Sequence, residues 1–414
     1  MAILLQNLQL IHDGKIQPLA NYFFDGSSLR AIDLTQKEPS FEEIIDCTGL
    51  IGSPGWIDLR TGFGEPGQEY RETIASLCES LLVSGFSTAV VMPNTDPVIQ
   101  SKNEAEFILN RSRKFLPNLI VMGAVTKKTE GEDLTEMLDM HFQAGLTVFG
   151  DGAKPLSNSD RYMKILQYLQ KFNGVLFDHA YDPLLSIFGQ MHEGLVSTKL
   201  GMKGIPNLAE DVAIQRNLEI IRYTGGKVHF QTLSTAKGVD LIRQAKKEGL
   251  QVTSDVSIYQ LIFNDEDLIT FDTNLKVKPP FRSEYDRVAL IEGLKDGTID
   301  ALVSNHQPQD FDSKFAEFDL ASFGMAGLQS FLPAMVKLSE ELGWELLIEK
   351  VTSGPRKIIG SISDSWTIFN PNEEWEYNEI TNKSLSANHP WFGNRLKGKV
   401  KYVIQKGQFQ KIDV

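Results

Sequence analysis

Between residues 54 and 364 the sequence alternates eight short apolar, β-branched runs with stretches of helical periodicity, and this alternation restricts the fold more than any other feature. The runs are Gly55–Leu59, Ser87–Met92, Leu119–Val125, Leu146–Phe149, Gly174–Phe177, Lys227–Gln231, Gln251–Val256 and Asp300–Val303. Between them lie Ala75–Leu82, Ser101–Phe115, Asp133–Gln143, Arg161–Lys171, Ala209–Arg222 and Lys237–Glu248, and Met325–Glu341 follows the last run. Apolar runs separated by amphipathic helices are parallel strands with helices packed outside them. Eight such units predict an α/β fold, a closed (β/α)8 TIM-type barrel. A doubly wound open sheet is the alternative, but no Gly-x-Gly-x-x-Gly follows the first strand.

The two ends read differently. Ile3–Leu10 alternates, His12-Asp13-Gly14-Lys15 is a turn, and Tyr22–Phe24 and Leu29–Asp33 are further short strands. Trp366–Phe369 is a strand followed by an Asn-Pro-Asn turn, and Val400–Ile404 runs into a Lys406-Gly407 turn. The expected organisation is a small β-sandwich formed by residues 1–53 and 365–414, with the barrel, residues 54–364, inserted between them.

A length of 414 residues accommodates this arrangement. Lys and Arg total 41 against 54 Asp and Glu, a net charge of −13, which repels phosphate backbones and excludes a general nucleic-acid partner. No apolar run approaches the roughly 18 residues of a membrane span, and the first residues lack the basic region of a signal peptide. Cys47 and Cys78 form no Cys-x-x-Cys, so a thiolate zinc site is not expected and both read as reduced thiols in a cytoplasmic protein.

In a parallel barrel, chemistry sits at the C-terminal ends of the strands. Those ends carry Asp58-Leu59-Arg60-Thr61-Gly62, Asn94, Thr126-Lys127, Asp151-Gly152, Asp178-His179, Gln231-Thr232, Asp255 and Ser304-Asn305-His306. A divalent metal needs about three to five convergent His or carboxylate ligands. The rim offers two His and three Asp (Asp151, Asp178, Asp255) beyond Asp58, while Arg60, Gly62 and Thr232 ligate no cation strongly. His12, His141, His192, His229 and His389 fall off this rim; His229 reads as a strand residue and the rest as surface or loop residues. Ser304 and Ser234 lack an evident His–Asp pair, which argues against a serine hydrolase.

Several longer segments carry a family resemblance. They are Pro54-Gly55-Trp56-Ile57-Asp58-Leu59, Glu65-Pro66-Gly67-Gln68-Glu69-Tyr70, Met92–Val98, Glu193-Gly194 through Gly204-Ile205-Pro206, Val277–Arg282 and Leu396–Val400. With these, the chain resembles the dihydroorotases of the long bacterial type, members of the amidohydrolase superfamily, nearly end to end. The resemblance implies a (β/α)8 barrel with a β-sandwich from both termini. It also implies zinc-dependent interconversion of N-carbamoyl-aspartate and dihydroorotate, a homo-oligomer such as a dimer, and a place in pyrimidine biosynthesis.

The departures from the family pattern lie in the site. The family's Asp-x-His-x-His has Arg60 and Gly62 at its two metal-binding His positions, and the carboxylate-gripping Arg that follows is Gly64. One Asp of the Asp-Asp-Gly segment remains, as Asp151, and the strand-five His is His179. The strand-six His is Thr232, and the strand-eight Asp, general base and ligand, is Asn305. The substrate-binding His after it is Gln309 and the Asn before the Pro-Pro pair is Lys278, so Asn94 alone matches among the substrate contacts.

Metal-activated hydrolysis needs a cation that polarises the carbonyl and a carboxylate that moves the proton. The leading expectation is therefore a non-catalytic dihydroorotase-like protein without a cofactor, a structural or regulatory partner, as of aspartate transcarbamoylase. An active, metal-dependent cyclic amidohydrolase is the alternative, holding zinc with Asp151, His179 and Asp255 or His306. A sensor of a small anionic pyrimidine intermediate, using Arg60, Lys278 and Asn94, is a third reading. Against these stand plainer ones: hydrogen bonding of Asp151 and His179 inside a closed mouth, internal salt bridges of Arg60 and Lys278, and packing of His306. Arg60 is also a candidate to neutralise Asp151, Asp178 or Asp255.

Overall fold

The computed structural model describes residues 2–33, 40–360 and 364–413. All eight predicted runs form parallel strands: β1 (Trp56–Thr61), β2 (Phe86–Val91), β3 (Asn118–Val121), β4 (Val148–Phe149), β5 (Val175–Asp178), β6 (Lys227–Phe230), β7 (Val252–Ser257) and β8 (Ala301–Val303). Two sheets, β1-β2-β3 and β4-β5-β6-β7-β8, account for them. Parallel bridges Gly123↔Phe149 and Thr61↔His306 join the sheets at both edges and close the barrel. The interior is filled by one residue or two from most strands, with Ile57, Leu59, Val90, Met122, Val148, Phe177, Ala301 and Val303 in one buried cluster.

The helices form where periodicity places them because capping residues precede the apolar faces. Thr73 caps Ile74–Val83, Ser101 caps Lys102–Ser112 and Thr235 caps Ala236–Lys247 through their side-chain oxygens. Two helices start later than their sequence patterns: the one expected from Asp133 begins at Met137, and the one expected from Met325 is delayed by pairing. Met325 bridges His306 in extended conformation, and the Gln307 amide donates to the Met325 carbonyl at 2.8 Å. The helix predicted from Met325 therefore begins at Phe331.

Strands from both ends of the chain share one nine-stranded sheet. Strand Ile3–His12 makes the corner. Its first half pairs with Ala20–Phe24 and Glu43–Asp46, and its second half with Ile51–Pro54. Ile3, Leu5, Leu8, Tyr22 and Phe24 thereby meet Ile368 and Ile404 in a second core. The turns at Asp13-Gly14 and Lys406-Gly407 have positive φ at both central residues, as two-residue hairpins require. The Asn-Pro-Asn segment, by contrast, is no turn. Strand Ser365–Glu376 runs through it, and pairing with Arg395–Gln405 shifts register between Asn370 and Glu374. Proline has no N–H for the ladder, so a bulge takes it up. Trp56 at the start of β1 packs edge-on to Phe369 at 5.4 Å and so ties barrel to sheet. Among the described residues, no helix is long and apolar enough to cross a membrane.

Candidate functional site

Arg60 is the centre of the barrel mouth. It lies on β1 and is fully buried. Its Nε donates to Asn305 Oδ1 at 3.0 Å, and its Nη1 donates to Gln231 Oε1 at 2.6 Å and to the Gly152 carbonyl at 3.3 Å. The guanidinium thus spans strands one, six and eight and the loop after β4. Its Nη2 is buried without a partner. Burial lowers its pKa to about 10, against the attraction of Asp255, Tyr181 and Asp58, so it stays charged at neutral pH. Its partners are amides and a carbonyl; among the described residues it forms no ion pair with Asp151, Asp178 or Asp255.

Each of those carboxylates has its own partners. Asp151 Oδ1 accepts from the Val125 and Thr126 amides, both at 3.0 Å, and its Oδ2 accepts from the Thr126 hydroxyl. It therefore fastens the end of strand three. Burial nonetheless raises its pKa to about 6. Asp178 faces away from the mouth, toward two helices, where Tyr162 Oη donates to it at 2.9 Å and Asn217 Nδ2 at 2.7 Å. Asp255 lies 2.8 Å from His229 Nε2 and accepts from the Thr232 amide at 2.6 Å. His229, which the sequence placed off the rim, is thus the direct partner of a rim carboxylate.

His179 follows β5 directly, with its Nδ1 3.2 Å from Thr232 Oγ1. Burial, and then the charges of Arg60 and Lys278, hold its pKa well below the usual imidazole value, so the ring is neutral. Lys278 places its ammonium 3.9 Å from the centre of the Tyr181 ring. Burial and the neighbouring Lys154 lower its pKa to about 8. Asn94 is engaged with the loop after β4: its Nδ2 donates to the Asp151 carbonyl at 3.1 Å, and its Oδ1 accepts from the Ala153 amide at 2.8 Å.

The remaining positions complete the picture. Asn305 Oδ1 accepts from Gln307 Nε2 as well as from Arg60. His306 turns to Glu72, at 3.4 Å, rather than simply packing beside Asn305. Gln309 Nε2 donates to the Phe323 carbonyl at 2.8 Å. A Cβ at Gly62 would stand 2.9 Å from the His306 carbonyl, and one at Gly64 would stand 1.9 Å from the Gln68 carbonyl. Off the mouth, His192 and His389 are buried and not surface residues. His389 Nδ1 accepts from the Trp391 amide at 3.0 Å, so Nε2 carries the proton toward Ser330 Oγ at 2.8 Å. A ring in that tautomer cannot serve as the serine's base.

These residues do not fit a zinc centre. Arg60 is a guanidinium, which ligates no cation, Thr232 offers only a neutral hydroxyl, and both oxygens of Asp151 are hydrogen-bonded to the end of strand three. Among the described residues, no three His, Cys, Asp or Glu side chains stand together as a metal-binding group.

Tyr181 and Lys154 are parts of the mouth that sequence reasoning did not single out, and Gln231 was placed on the rim without a role. Tyr181 had one available signal: it alternates with a rim residue, His179.

Comparison with known proteins agrees with the motifs. A family profile described as Dihydro-orotase-like matches residues 49–238. A protein named dihydroorotase from Geobacter sp. (strain M21) is 37% identical over 382 residues, which cover 89% of each chain. The chain belongs to the dihydroorotase family. A second dihydroorotase, from Thermoanaerobacter sp. (strain X514), is 33% identical over 99% of this chain and 97% of its own. Among solved structures, an L-hydantoinase (dihydropyrimidinase) from Arthrobacter aurescens superposes with a TM-score of 0.86 at 22% identity, covering 100% of this chain and 97% of that one. That likeness establishes the barrel with its β-sandwich as the fold.

Proposed function

We propose that this member of the dihydroorotase family is a non-catalytic homologue that acts in pyrimidine biosynthesis as a structural or regulatory partner, with aspartate transcarbamoylase as the partner. The observation that carries the reading is the guanidinium of Arg60, bonded to Asn305 and Gln231 in the middle of the barrel mouth. A fixed positive charge there opposes a divalent cation, and Asn305 has no carboxylate with which to take a proton from water. The protein is soluble and cytoplasmic in this reading, and it needs no zinc.

A second reading is favoured by the identity of 37% to a curated dihydroorotase across 89% of the chain. It is a working metal-dependent cyclic amidohydrolase with a rebuilt site. Metal content by mass spectrometry on chelator-free protein, together with a dihydroorotate hydrolysis assay on the same sample, separates the two. No bound zinc and no turnover are expected; about one zinc per chain with turnover would replace the first reading by the second. Co-elution with the catalytic chain of aspartate transcarbamoylase tests the partner, and two separate peaks at micromolar concentration would remove it.

A further inference from the structure

Three large apolar side chains stand in solvent on the loop between β8 and the helix that starts at Phe331. Phe311, Phe315 and Leu320 are 72%, 77% and 72% exposed. The two phenyl rings stack, with centroids 5.0 Å apart and planes at 17°. Two grooves meet at Phe315. One, of about 540 Å³, is shared with Phe271 and Glu317, and the other, of about 260 Å³, with Phe311 and Leu385. Single exposed apolar residues are ordinary, whereas an exposed aromatic pair between two grooves marks a surface that another molecule covers.

The loop is pinned from beneath. The buried Lys314 Nζ donates to the Ser322 and Gly324 carbonyls at 2.8 and 3.0 Å. The buried Lys276 Nζ donates to the Phe318 and Asp319 carbonyls at 2.6 and 3.1 Å. Thr273 Oγ1 donates to the Lys314 carbonyl at 2.8 Å. These bonds fix the backbone and leave the rings outside. A pinned loop holds its anchors in place before a partner arrives, so little entropy is lost on docking.

The charge around the rings selects the occupant. Asp272 and Glu317 line one groove and Asp310 the other, while Asp312 and Asp319 stand on the same loop. Among the described residues, none of the five has a Lys or Arg within ion-pair distance. The loop's own lysines are buried against carbonyls. A second copy of this chain, with a net charge of −13, would bring like charges together here. Apolar anchors flanked by Lys or Arg match both the rings and the carboxylates.

We propose that this face docks a basic amphipathic segment of a partner protein, its apolar residues on Phe311, Phe315 and Leu320 and its cations at the surrounding carboxylates. The inference goes beyond the non-catalytic reading and does not depend on it, since docking and turnover are measured separately.

The test uses the full chain and fluorescence anisotropy at low salt. The probe is a fluorescein-labelled peptide of about four helical turns, with Leu at i, i+3, i+4 and i+7 and Lys on the opposite face. A control peptide carries Glu in place of every Lys. The Lys peptide is expected to bind saturably at micromolar concentration, and the Glu peptide at least tenfold more weakly. Phe311→Ser combined with Phe315→Ser should weaken binding at least tenfold and leave the melting temperature unchanged, because both rings are already in solvent. Glu317→Lys combined with Asp319→Lys should weaken the Lys peptide and tighten the Glu peptide. No binding, equal binding of the two peptides, or equal binding by wild type and the double Ser variant would each overturn the docking face. Dimerisation of the wild type that the double Ser variant abolishes would give the face to a second copy and overturn the basic partner. Dihydroorotate turnover would sink the non-catalytic reading alone and leave the peptide result to judge this face.

Discussion

Arg60 Nε donates to Asn305 Oδ1 at 3.0 Å, a bond between the first and last barrel strands across 245 residues of sequence. It ties the two ends of the barrel together across the mouth, and each side chain satisfies the other. Asn305→Asp should turn this bond from a guanidinium to a neutral amide into a full ion pair and raise stability by about 1 kcal/mol. Urea denaturation measures it. The same variant is expected to gain no dihydroorotate hydrolysis, because Arg60 keeps its place.

Arg60→Met removes a charge but leaves Gln231 Oε1 and the Gly152 carbonyl without their donor. Unpaired buried acceptors cost about 1–3 kcal/mol each, offset in part by removal of a buried charge. A net loss of about 2 kcal/mol is expected at pH 7. Unchanged stability would show that the guanidinium does not hold the mouth together.

Gly64 illustrates how far the loop after β1 has closed. Its amide donates to the Glu72 carbonyl at 2.9 Å and its carbonyl accepts from the Gln68 amide at 2.6 Å. A Cβ would stand 1.9 Å from the Gln68 carbonyl, so any side chain at this position must break this loop. Gly64→Arg and Gly64→Ala should both lose at least about 2 kcal/mol, within the range of overpacked sites. Equal melting temperatures for wild type and Gly64→Ala would refute the occlusion.

Lys314 gives the clearest pH dependence. Its Nζ is buried and donates to the Ser322 and Gly324 carbonyls at 2.8 and 3.0 Å. Burial, helped by Lys276 and opposed by Asp272, lowers its pKa from 10.5 to about 7. Below about pH 7 both folded and unfolded chains hold the proton, so the contribution is flat. Above it the unfolded chain alone holds the proton, and stability rises with pH. Lys276, lowered to about 8, acts in the same direction. Chemical denaturation should show a gain on the order of 1–2 kcal/mol between pH 7 and 9, reduced in Lys314→Met. A flat profile in wild type would contradict it.

The strand ends carried the family's identity, and much of the fold was legible there too. All eight barrel strands follow from apolar runs, because periodicity and capping act over a few residues. The same local logic misread Asn370-Pro371-Asn372 as a turn: a bulge depends on the strand opposite, here Arg395–Gln405. It also started the last long helix at Met325, since the pairing of Met325 with His306 involves a distant segment.

At the site, sequence alone determined which chemical groups are present: Arg60, Gly62, Thr232 and Asn305 on the strand ends. Tertiary structure decided what those groups face. Asp151 turned to Thr126, Asp178 to Tyr162 and Asn217, and Asp255 to His229, so three carboxylates adjacent to the rim do not converge. Residue identity is set one position at a time, whereas convergence depends on the direction of each side chain once the barrel closes. That direction is fixed by burial and hydrogen bonding between segments far apart in the chain.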